Sequence, residues 1–284
     1  MQFPKTASLF GMAKYRILHF SDVHLGLRDF RWRYLLDKRL FGRLNQFLRR
    51  AARFQEDRLA SLARLQRDFR PDCTVCTGDL TTIGSADEFH AVAEVLAPLR
   101  AEAAHFIYLP GNHDAYVAAN HDALAEACRD LNGGRCGLED FPAAIQAGPV
   151  EFVALNPCLP RIVWLSSGEL PDAVWPKLGY ILEKNLPKGQ MRVMLSHFPL
   201  ADANGKPLSW RRRMEGDARL RGLLAGGHVR ALLCGHIHTP YICGLGAEKE
   251  PLQVCAGSLG LGGSCATIEA DTESGALDAK IVRL

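Results

Sequence analysis

The sequence predicts an α/β fold in which short buried strands alternate with amphipathic helices. Apolar runs at 15–20, 72–77 and 105–109 have the length of buried strands. The segments between them, at 56–70 and 86–100, carry apolar residues at helical spacing. A polar residue follows the end of each of these strands, and sites in α/β proteins form at the carboxyl ends of strands.

The remaining elements follow from the same patterns, with proline and glycine marking the turns. Further strands are predicted at 150–156, 191–195, 229–234, 241–245, 252–256, 265–270 and 277–282. Further helices are predicted at 121–130 and 170–185. Trp164 and Trp175 lie in this part of the chain, and we expect both in the core.

The composition is that of a soluble globular protein. The 284 residues are 48% hydrophobic and 23% charged, which suits one large or two small domains. The net charge of +3 is too small to indicate nucleic-acid binding by the whole chain. The nine cysteines lie mostly within apolar runs, so we expect reduced thiols and a cytoplasmic protein. Alternation places Cys73 and Cys76 on opposite strand faces, which favours packing over a redox or zinc pair.

The first 14 residues lack the long apolar region of a signal peptide. We expect a flexible tail at 1–14, with Met12 as an alternative start, followed by a single domain at 15–284. No run approaches the ~18 apolar residues of a membrane-spanning helix.

The segment 27–58 is basic and apolar at once. It holds ten lysines and arginines against four acidic residues, and leucines and phenylalanines recur in it at helical spacing. Basic amphipathic helices with aromatic residues often lie on anionic membrane surfaces. The alternative is an insertion helix at about 28–58 that packs on its own domain and leaves its arginines in solvent.

Side chains typical of metal sites follow five of the strands. They are Asp22 and His24; Asp79 after Gly78; Asn112, His113 and Asp114 after Gly111; His197; and His236 and His238 after Gly235. Amide and carboxylate oxygens with imidazole nitrogens suit a hard or borderline divalent metal. Each motif alone is weak, because short polar turns after strands are common.

Three successive arginines, Arg211, Arg212 and Arg213, occupy a predicted loop beyond His197. Arginine binds phosphate through two parallel hydrogen bonds, so this run is a candidate substrate-binding element. The alternative interpretation is a loop whose arginines are only solvated.

Taken in order, the five motifs resemble those of the calcineurin-like metallophosphoesterases, whose pattern is D-x-H, G-D, G-N-H-D/E, a single H, and G-H-x-H. The resemblance extends from Tyr15 to about Ala270. It implies a four-layer αββα sandwich of two mixed sheets flanked by helices. It also implies a hydrolase acting on phosphodiester or pyrophosphate bonds.

The resemblance further implies a site with two metal ions and a role for each motif residue. One ion would be bound by Asp22, His24 and His238, the other by Asn112, His197 and His236, with Asp79 bridging both. His113 would act on the leaving oxygen, and Asp114 would orient His113 through a hydrogen bond. Mn²⁺ or an Fe-containing pair suits this ligand set, with Zn²⁺ as an alternative.

Two substrate classes remain open. The basic insertion resembles that of lipid-A-pathway UDP-2,3-diacylglucosamine pyrophosphatases, which implies a lipid-linked substrate, the products UMP and a lipid monophosphate, and contact of 28–58 with the inner membrane surface. The alternative is a soluble cyclic-nucleotide phosphodiesterase, which needs only the shared motifs. A non-catalytic interaction scaffold is a third hypothesis, disfavoured because no motif residue is missing. No nucleic acid and no obligate protein partner are expected.

Overall fold

The computed structural model describes residues 14–25, 52–161, 165–246 and 250–284. Its strands are β1 (Tyr15–Phe20), β2 (Cys73–Cys76), β3 (Phe106–Tyr108), β4 (Ala143–Ala147), β5 (Val150–Ala154), β6 (Gly168–Glu169), β7 (Met191–Leu195), β8 (Met214–Glu215), β9 (Ala231–Cys234), β10 (Tyr241–Gly244), β11 (Leu252–Cys255), β12 (Ser264–Ala270) and β13 (Leu277–Arg283). Its α-helices are α1 (Ala52–Phe69), α2 (Ala86–Glu102), α3 (His121–Leu131), α4 (Val174–Glu183), α5 (Asp217–Leu224) and the single turn α6 (Leu259–Gly262).

The first sheet has the strand order β13-β12-β1-β2-β3. Strands β1, β2 and β3 run parallel, while β12 and β13 add to β1 as an antiparallel edge. The three parallel strands therefore end at one edge of this sheet, where the loops after β1, β2 and β3 lie side by side.

The second sheet has the order β10-β11-β9-β7-β5-β4. Its four central strands are parallel, and an antiparallel strand closes each edge. Strands β6 and β8 form a separate parallel pair in the loops beyond this sheet.

The two sheets pack face to face through one apolar layer. Alternate residues of the strands from both sheets meet there, among them Ile17, Val75, Phe152, Val193 and Leu233. The opposite face of the first sheet packs against residues of α1, α2 and α3, and that of the second sheet against α4 and α5. This arrangement confirms the predicted αββα sandwich.

Most of the predicted elements are present, with ends that differ by a few residues. Cys73 and Cys76 are buried in cores on opposite faces of the first sheet, as alternation predicts. Trp175 is 5% exposed in the outer core, which confirms its predicted burial, whereas Trp164 lies outside the described residues. The strands β4, β6 and β8 and the helices α5 and α6 were not predicted.

Much of the predicted insertion at 28–58 and nearly all of the N-terminal segment 1–14 also lie outside the described residues. Within the part of the chain that the structure describes, no helix combines the length and the apolarity needed to cross a bilayer.

Candidate metal centre

The loops after β1, β2 and β9 bring four side chains into one group. Asp22 and His24 follow β1, Asp79 follows β2, and His238 follows β9. Each residue offers one ligand atom, and these atoms all lie within 4.8 Å of one another. Nε2 of His238 is 3.2 Å from Oδ1 of Asp22 and 3.1 Å from Nε2 of His24. The group has the residue types and the size of a site for one cation.

A second group forms around the amide oxygen of Asn112, in the loop after β3. Nε2 of His197 and Nδ1 of His236 lie 3.1 and 2.9 Å from Asn112 Oδ1. Oδ2 of Asp79 is 3.4 Å from His197 Nε2 in this group and 3.8 Å from His24 Nε2 in the first group. The Asp79 carboxylate therefore lies between the two groups.

The structure thus gathers all seven residues that the sequence singles out as metal ligands. They are Asp22, His24, Asp79, Asn112, His197, His236 and His238. Their assignment as ligands of particular ions remains a proposal, whereas their mutual proximity is observed.

Four of these side chains project from backbone in the left-handed region. Asp22, His24, Asp79 and His236 have φ values of 55°, 53°, 54° and 67°. Residues other than glycine rarely adopt such angles, and those that do are concentrated at functional sites. The sharp turn directly after each strand directs these side chains toward a common point.

Two motif glycines are required by close approach of neighbouring loops. A Cβ on Gly235 would lie 1.9 Å from Ser21 Oγ and 2.4 Å from Asp22 Oδ2. A Cβ on Gly111 would lie 2.1 Å from Asp79 Oδ1. Any larger residue would therefore displace an aspartate of the site.

Backbone groups hold the ligand side chains in place. Nδ1 of His197 lies 2.7 Å from the carbonyl oxygen of Thr77, which leaves Nε2 for the site. The backbone N–H of His236 donates to Oδ2 of Asp22 at 3.0 Å, and the Ser258 hydroxyl donates to the carbonyl oxygen of Asp22 at 2.7 Å. Such outer contacts fix ligand orientation in metal sites.

Asp79 and His197 stabilise each other's charged forms. Burial raises the pKa of Asp79, but the charges of His197 and His113 outweigh burial and hold this pKa well below its ordinary value. Burial lowers the pKa of His197, but the Asp79 carboxylate outweighs it and raises the pKa to about 9. Burial lowers the pKa of His236 to about 3. The carboxylates are therefore anionic and available to cations.

The donor set fits a pair of divalent cations. It combines two carboxylates, one amide oxygen and four imidazoles, a mixture that suits Mn, Fe or Zn. Oδ1 of Asp22 is buried and has no hydrogen-bond partner within the described residues, although His238 Nε2 is 3.2 Å away. A buried carboxylate oxygen without a partner is costly, and a bound cation would remove that cost.

The ring of His113 borders the first group. Its Nδ1 lies 2.8 Å from the carbonyl oxygen of Thr82, and a carbonyl can only accept, so Nδ1 carries the proton. The ring stacks on Tyr116 at 5.6 Å between centroids and meets the His24 ring edge-on at 4.8 Å. Burial lowers the pKa of His113 below its ordinary value.

The prediction that Asp114 orients His113 through a hydrogen bond is wrong for this structure. Oδ1 of Asp114 accepts from the Thr81 backbone and hydroxyl, and Oδ2 accepts from Tyr108 and from the backbone of Gly111 and Leu80. These five bonds satisfy the buried carboxylate and join the loop after β2 to the loop after β3. The Thr82 carbonyl takes the expected orienting role.

The arginines Arg211, Arg212 and Arg213 lie in an exposed turn. The guanidinium of Arg211 lies 5.2 Å from the Trp210 ring centroid, and that indole is 61% exposed. The backbone of Arg213 accepts a hydrogen bond from Gly168, so the turn lies against β6. Among the residues that the structure describes, none of the hydrogen bonds or ion pairs of the metal-ligand candidates involves these guanidinium groups.

Sequence reasoning missed Thr82 and Tyr116 as parts of the site. Tyr116 follows His113 by three residues, a spacing that places two side chains on one side of a helical turn, so the sequence held a weak signal for it. Thr82 contributes its backbone carbonyl, a group that every residue has, so the sequence held no signal for this contact.

Comparisons with known proteins give a family match over most of the chain. The model of a family described as calcineurin-like phosphoesterase matches residues 15–240. Two similar curated proteins are a cAMP/cGMP dual specificity phosphodiesterase of Mycobacterium tuberculosis and a probable cyclic nucleotide phosphodiesterase of Rhodococcus erythropolis. Each is 25% identical over 79% of this chain, and the aligned regions span 62% and 65% of the two relatives. The chain therefore spans less than two thirds of either relative.

Solved structures share the fold at low sequence identity. A dimetal phosphatase from Danio rerio superposes with a TM-score of 0.64 at 15% identity, covering 90% of this chain and 92% of that protein. A purple acid phosphatase from yellow lupin seeds gives a TM-score of 0.57 at 12% identity, covering 95% of this chain and 54% of that protein. These similarities concern the architecture alone.

Proposed function

Because the chain belongs to the calcineurin-like phosphoesterase family, we propose that it hydrolyses phosphodiester bonds at a site holding two divalent metal ions. The observation that carries this proposal is the position of Asp79, whose Oδ2 lies between His24 and His197. The proposed ligands of one ion are Asp22, His24 and His238, and those of the other are Asn112, His197 and His236, with Asp79 shared.

Two such ions neutralise charge on the phosphate and lower the pKa of a bound water, which is the chemistry that they supply when present. Hydrogen bonds within the chain hold the proposed ligand atoms in place. Asp79 uses Oδ1 to accept the His113 backbone N–H at 2.7 Å and keeps Oδ2 for the shared position. His197 uses Nδ1 on Thr77, which leaves Nε2 for the site.

His113 is the proposed catalytic residue that acts on the leaving oxygen. With Nδ1–H donated to Thr82, the neutral ring offers Nε2 as an acceptor, and the ring donates from Nε2 only when it is doubly protonated. In its doubly protonated form the ring would give its Nε2 proton to the leaving alkoxide, which would depart as an alcohol and leave His113 neutral; this is general acid catalysis. Asp114 does not touch this ring and acts by holding together the two loops.

Cyclic nucleotides are the first substrate class that we propose. Both curated relatives carry names of cyclic nucleotide phosphodiesterases, and the family match covers the whole set of motif residues up to His238. Hydrolysis of a cyclic phosphodiester requires one attacking oxygen and one leaving alkoxide; the proposed ligands would hold the ions that activate the first, and His113 would protonate the second. The shared motifs suffice for this reaction.

A lipid-linked pyrophosphate, UDP-2,3-diacylglucosamine, is the second candidate. The basic, apolar segment at 28–58 favours it, because basic amphipathic helices with aromatic residues bind anionic membrane surfaces, where such a substrate lies. The exposed turn with Trp210 and three arginines offers a further phosphate-binding element. This reading places the protein at the inner membrane surface while it acts on its substrate.

The deciding experiment compares Mn²⁺-dependent hydrolysis of cyclic AMP with that of UDP-2,3-diacylglucosamine, with both products identified. Release of AMP alone supports the first candidate, and release of UMP alone supports the second. Hydrolysis of neither substrate, nor of bis-p-nitrophenyl phosphate, with Mn²⁺, Fe²⁺ or Zn²⁺ contradicts the proposed reaction and favours a non-catalytic scaffold.

The membrane part of the second candidate has its own test. Changing Arg49, Arg50 and Arg53 to glutamine should weaken sedimentation with anionic phospholipid vesicles and leave hydrolysis of bis-p-nitrophenyl phosphate unchanged. The matched control changes Arg64, Arg67 and Arg70, the exposed arginines of the described chain closest to this segment. Equal loss in both triple variants, or no vesicle binding by the unmodified protein, contradicts membrane contact through 28–58.

A further inference from the structure

The ring of Tyr116 lies parallel to the ring of His113. Their centroids are 5.6 Å apart and their planes are inclined by 19°, which is a stacked arrangement. Aromatic contacts of this kind prefer particular ring orientations and contribute beyond the area that they bury. The contact therefore restrains the plane of the His113 ring.

The loop itself fixes Tyr116 in this position. The backbone N–H of Ala115 donates to the carbonyl oxygen of Gly111 at 3.2 Å, which closes a tight turn around His113 and Asp114. Ala115 is buried, and Asp114 accepts hydrogen bonds from Thr81 in the loop after β2 and from Gly111 in its own loop. The backbone that leads into Tyr116 is therefore restrained, and the Tyr116 side chain is half-buried beside the imidazole.

Three contacts restrain the His113 ring from different directions. The Thr82 carbonyl fixes Nδ1 at 2.8 Å, the His24 ring meets it edge-on, and Tyr116 covers one face. The ring turns about its Cβ–Cγ bond, and the hydrogen bond at Nδ1 restrains that torsion. The face contact with Tyr116 adds a second restraint on the plane of the ring.

We propose that Tyr116 is a positioning residue, which holds the imidazole plane of His113 so that Nε2 meets the leaving oxygen. This inference rests on the proposed function, because it concerns the action of His113 on the leaving group. The aromatic ring supplies the restraint that this inference concerns. Phenylalanine keeps the ring and should therefore keep the restraint, whereas leucine, which is apolar but has no ring, should lose it.

The test uses two esters that differ in their need for a proton. Cyclic AMP releases an alkoxide, which needs protonation, whereas bis-p-nitrophenyl phosphate releases a stable phenolate, which does not. We expect Tyr116→Leu to lower kcat on cyclic AMP by about 10- to 100-fold with KM little changed, since small misplacements of a catalytic group cost that much. Its rate on bis-p-nitrophenyl phosphate should stay within about threefold of the unmodified enzyme.

The controls separate positioning from folding. Tyr116→Phe should keep the ratio of the kcat values on the two esters seen in the unmodified enzyme, and His113→Ala should reproduce the selective loss on cyclic AMP. Adding Tyr116→Leu to His113→Ala should then cause no further loss. Equal losses on both esters, full activity of Tyr116→Leu, or additive losses in the double variant overturn the proposal.

A spectroscopic readout keeps this test separate from the proposed function. In the metal-free protein with ¹⁵N-labelled histidine, stacking on Tyr116 should shift the ring protons of His113 upfield, with His113→Ala identifying the signals. The shift should persist in Tyr116→Phe and disappear in Tyr116→Leu. If the protein hydrolyses neither ester, the proposed function fails, and a spectrum unchanged by Tyr116→Leu separately overturns the stacking restraint.

Discussion

The backbone N–H of His113 donates a hydrogen bond to Oδ1 of Asp79 at 2.7 Å. Oδ1 of Asp79 thus contacts His113, the residue proposed to act on the leaving group. Oδ2 of the same carboxylate faces both ligand groups. The Asp79 side chain therefore links the proposed metal bridge to the backbone of the proposed catalytic residue.

Asp79→Asn should reduce bound metal from two ions per chain to below one and lower phosphodiesterase activity by more than about a hundredfold. The substitution removes the anion shared by both proposed ions, although the amide keeps the shape of the side chain. Plasma mass spectrometry on the reconstituted protein gives the metal content. The exposed Asp278, changed to asparagine, is the matched control and should leave both quantities unchanged. Retention of two ions by Asp79→Asn would refute the bridging role.

His113→Ala should retain both ions and lower kcat on an alkyl phosphodiester by about 10²- to 10⁴-fold, the usual contribution of a general acid or base. The ring contacts the His24 ring but is not among the proposed ligands. Metal content and kcat are measured on the same preparation. Loss of an ion in this variant would instead make His113 a ligand.

Folding stability should depend on pH through His19, a buried residue of β1. Its Nε2 lies 2.9 Å from Thr77 Oγ1, its Nδ1 has no hydrogen-bond partner within the described residues, and burial lowers its pKa to about 3. Above pH 6.5 the ring is neutral in both the folded and the unfolded chain. Below that pH the unfolded chain binds a proton that the folded chain does not, so stability falls as the pH falls toward 3.

Between pH 7.5 and 5.0 this single group should remove about 2 kcal/mol of unfolding free energy. Urea denaturation in the presence of a chelator measures the change without metal effects. His19→Gln should lose about 2 kcal/mol less than the unmodified protein over this range, because other titrating groups are common to both. The exposed His90, changed to glutamine, is the control. Identical pH dependence in His19→Gln and the unmodified protein would contradict the assignment.

Gly235→Ala should destabilise the protein by about 1–3 kcal/mol and weaken metal binding, because the new methyl group overlaps Ser21 and Asp22. Gly179→Ala is the control within α4, since nothing lies within 4 Å of its Cβ position. Alanine there should stabilise the helix by up to about 1 kcal/mol. Thermal unfolding with and without Mn²⁺ measures both effects, and equal stability changes in the two variants would show that the space at Gly235 does not matter.

The location of the site was predictable because it depends on where strands end. Asp22, Asp79 and His197 each follow an apolar run that is easy to recognise, and parallel strands place their carboxyl ends together. The strand β4 was missed because its alanines have low strand propensity and it is specified by pairing with β5. The helix α5 was missed because it is short and contains Gly222.

The contacts of Asp114 and Thr82 could not be predicted from the sequence, for a different reason. A carboxylate beside a histidine in the chain suggests that the two side chains interact, but the turn at Gly111 directs Asp114 into the interior. The partner of His113 is a backbone carbonyl, and every residue has one. Which carbonyl meets the ring depends on the path of the loop and not on residue type.

The left-handed backbone at Asp22, His24, Asp79 and His236 has a consequence for protein engineering. Each of these conformations costs on the order of 1 kcal/mol in a residue other than glycine, although aspartate and histidine tolerate it better than most. A library selected only for heat resistance without metal should therefore collect glycine or asparagine at these four positions, and its most stable members should be inactive. Consensus or computational stabilisation of this chain should therefore keep these four residues unchanged. At these positions the residue that gives the most stable fold is not the residue that the proposed activity needs.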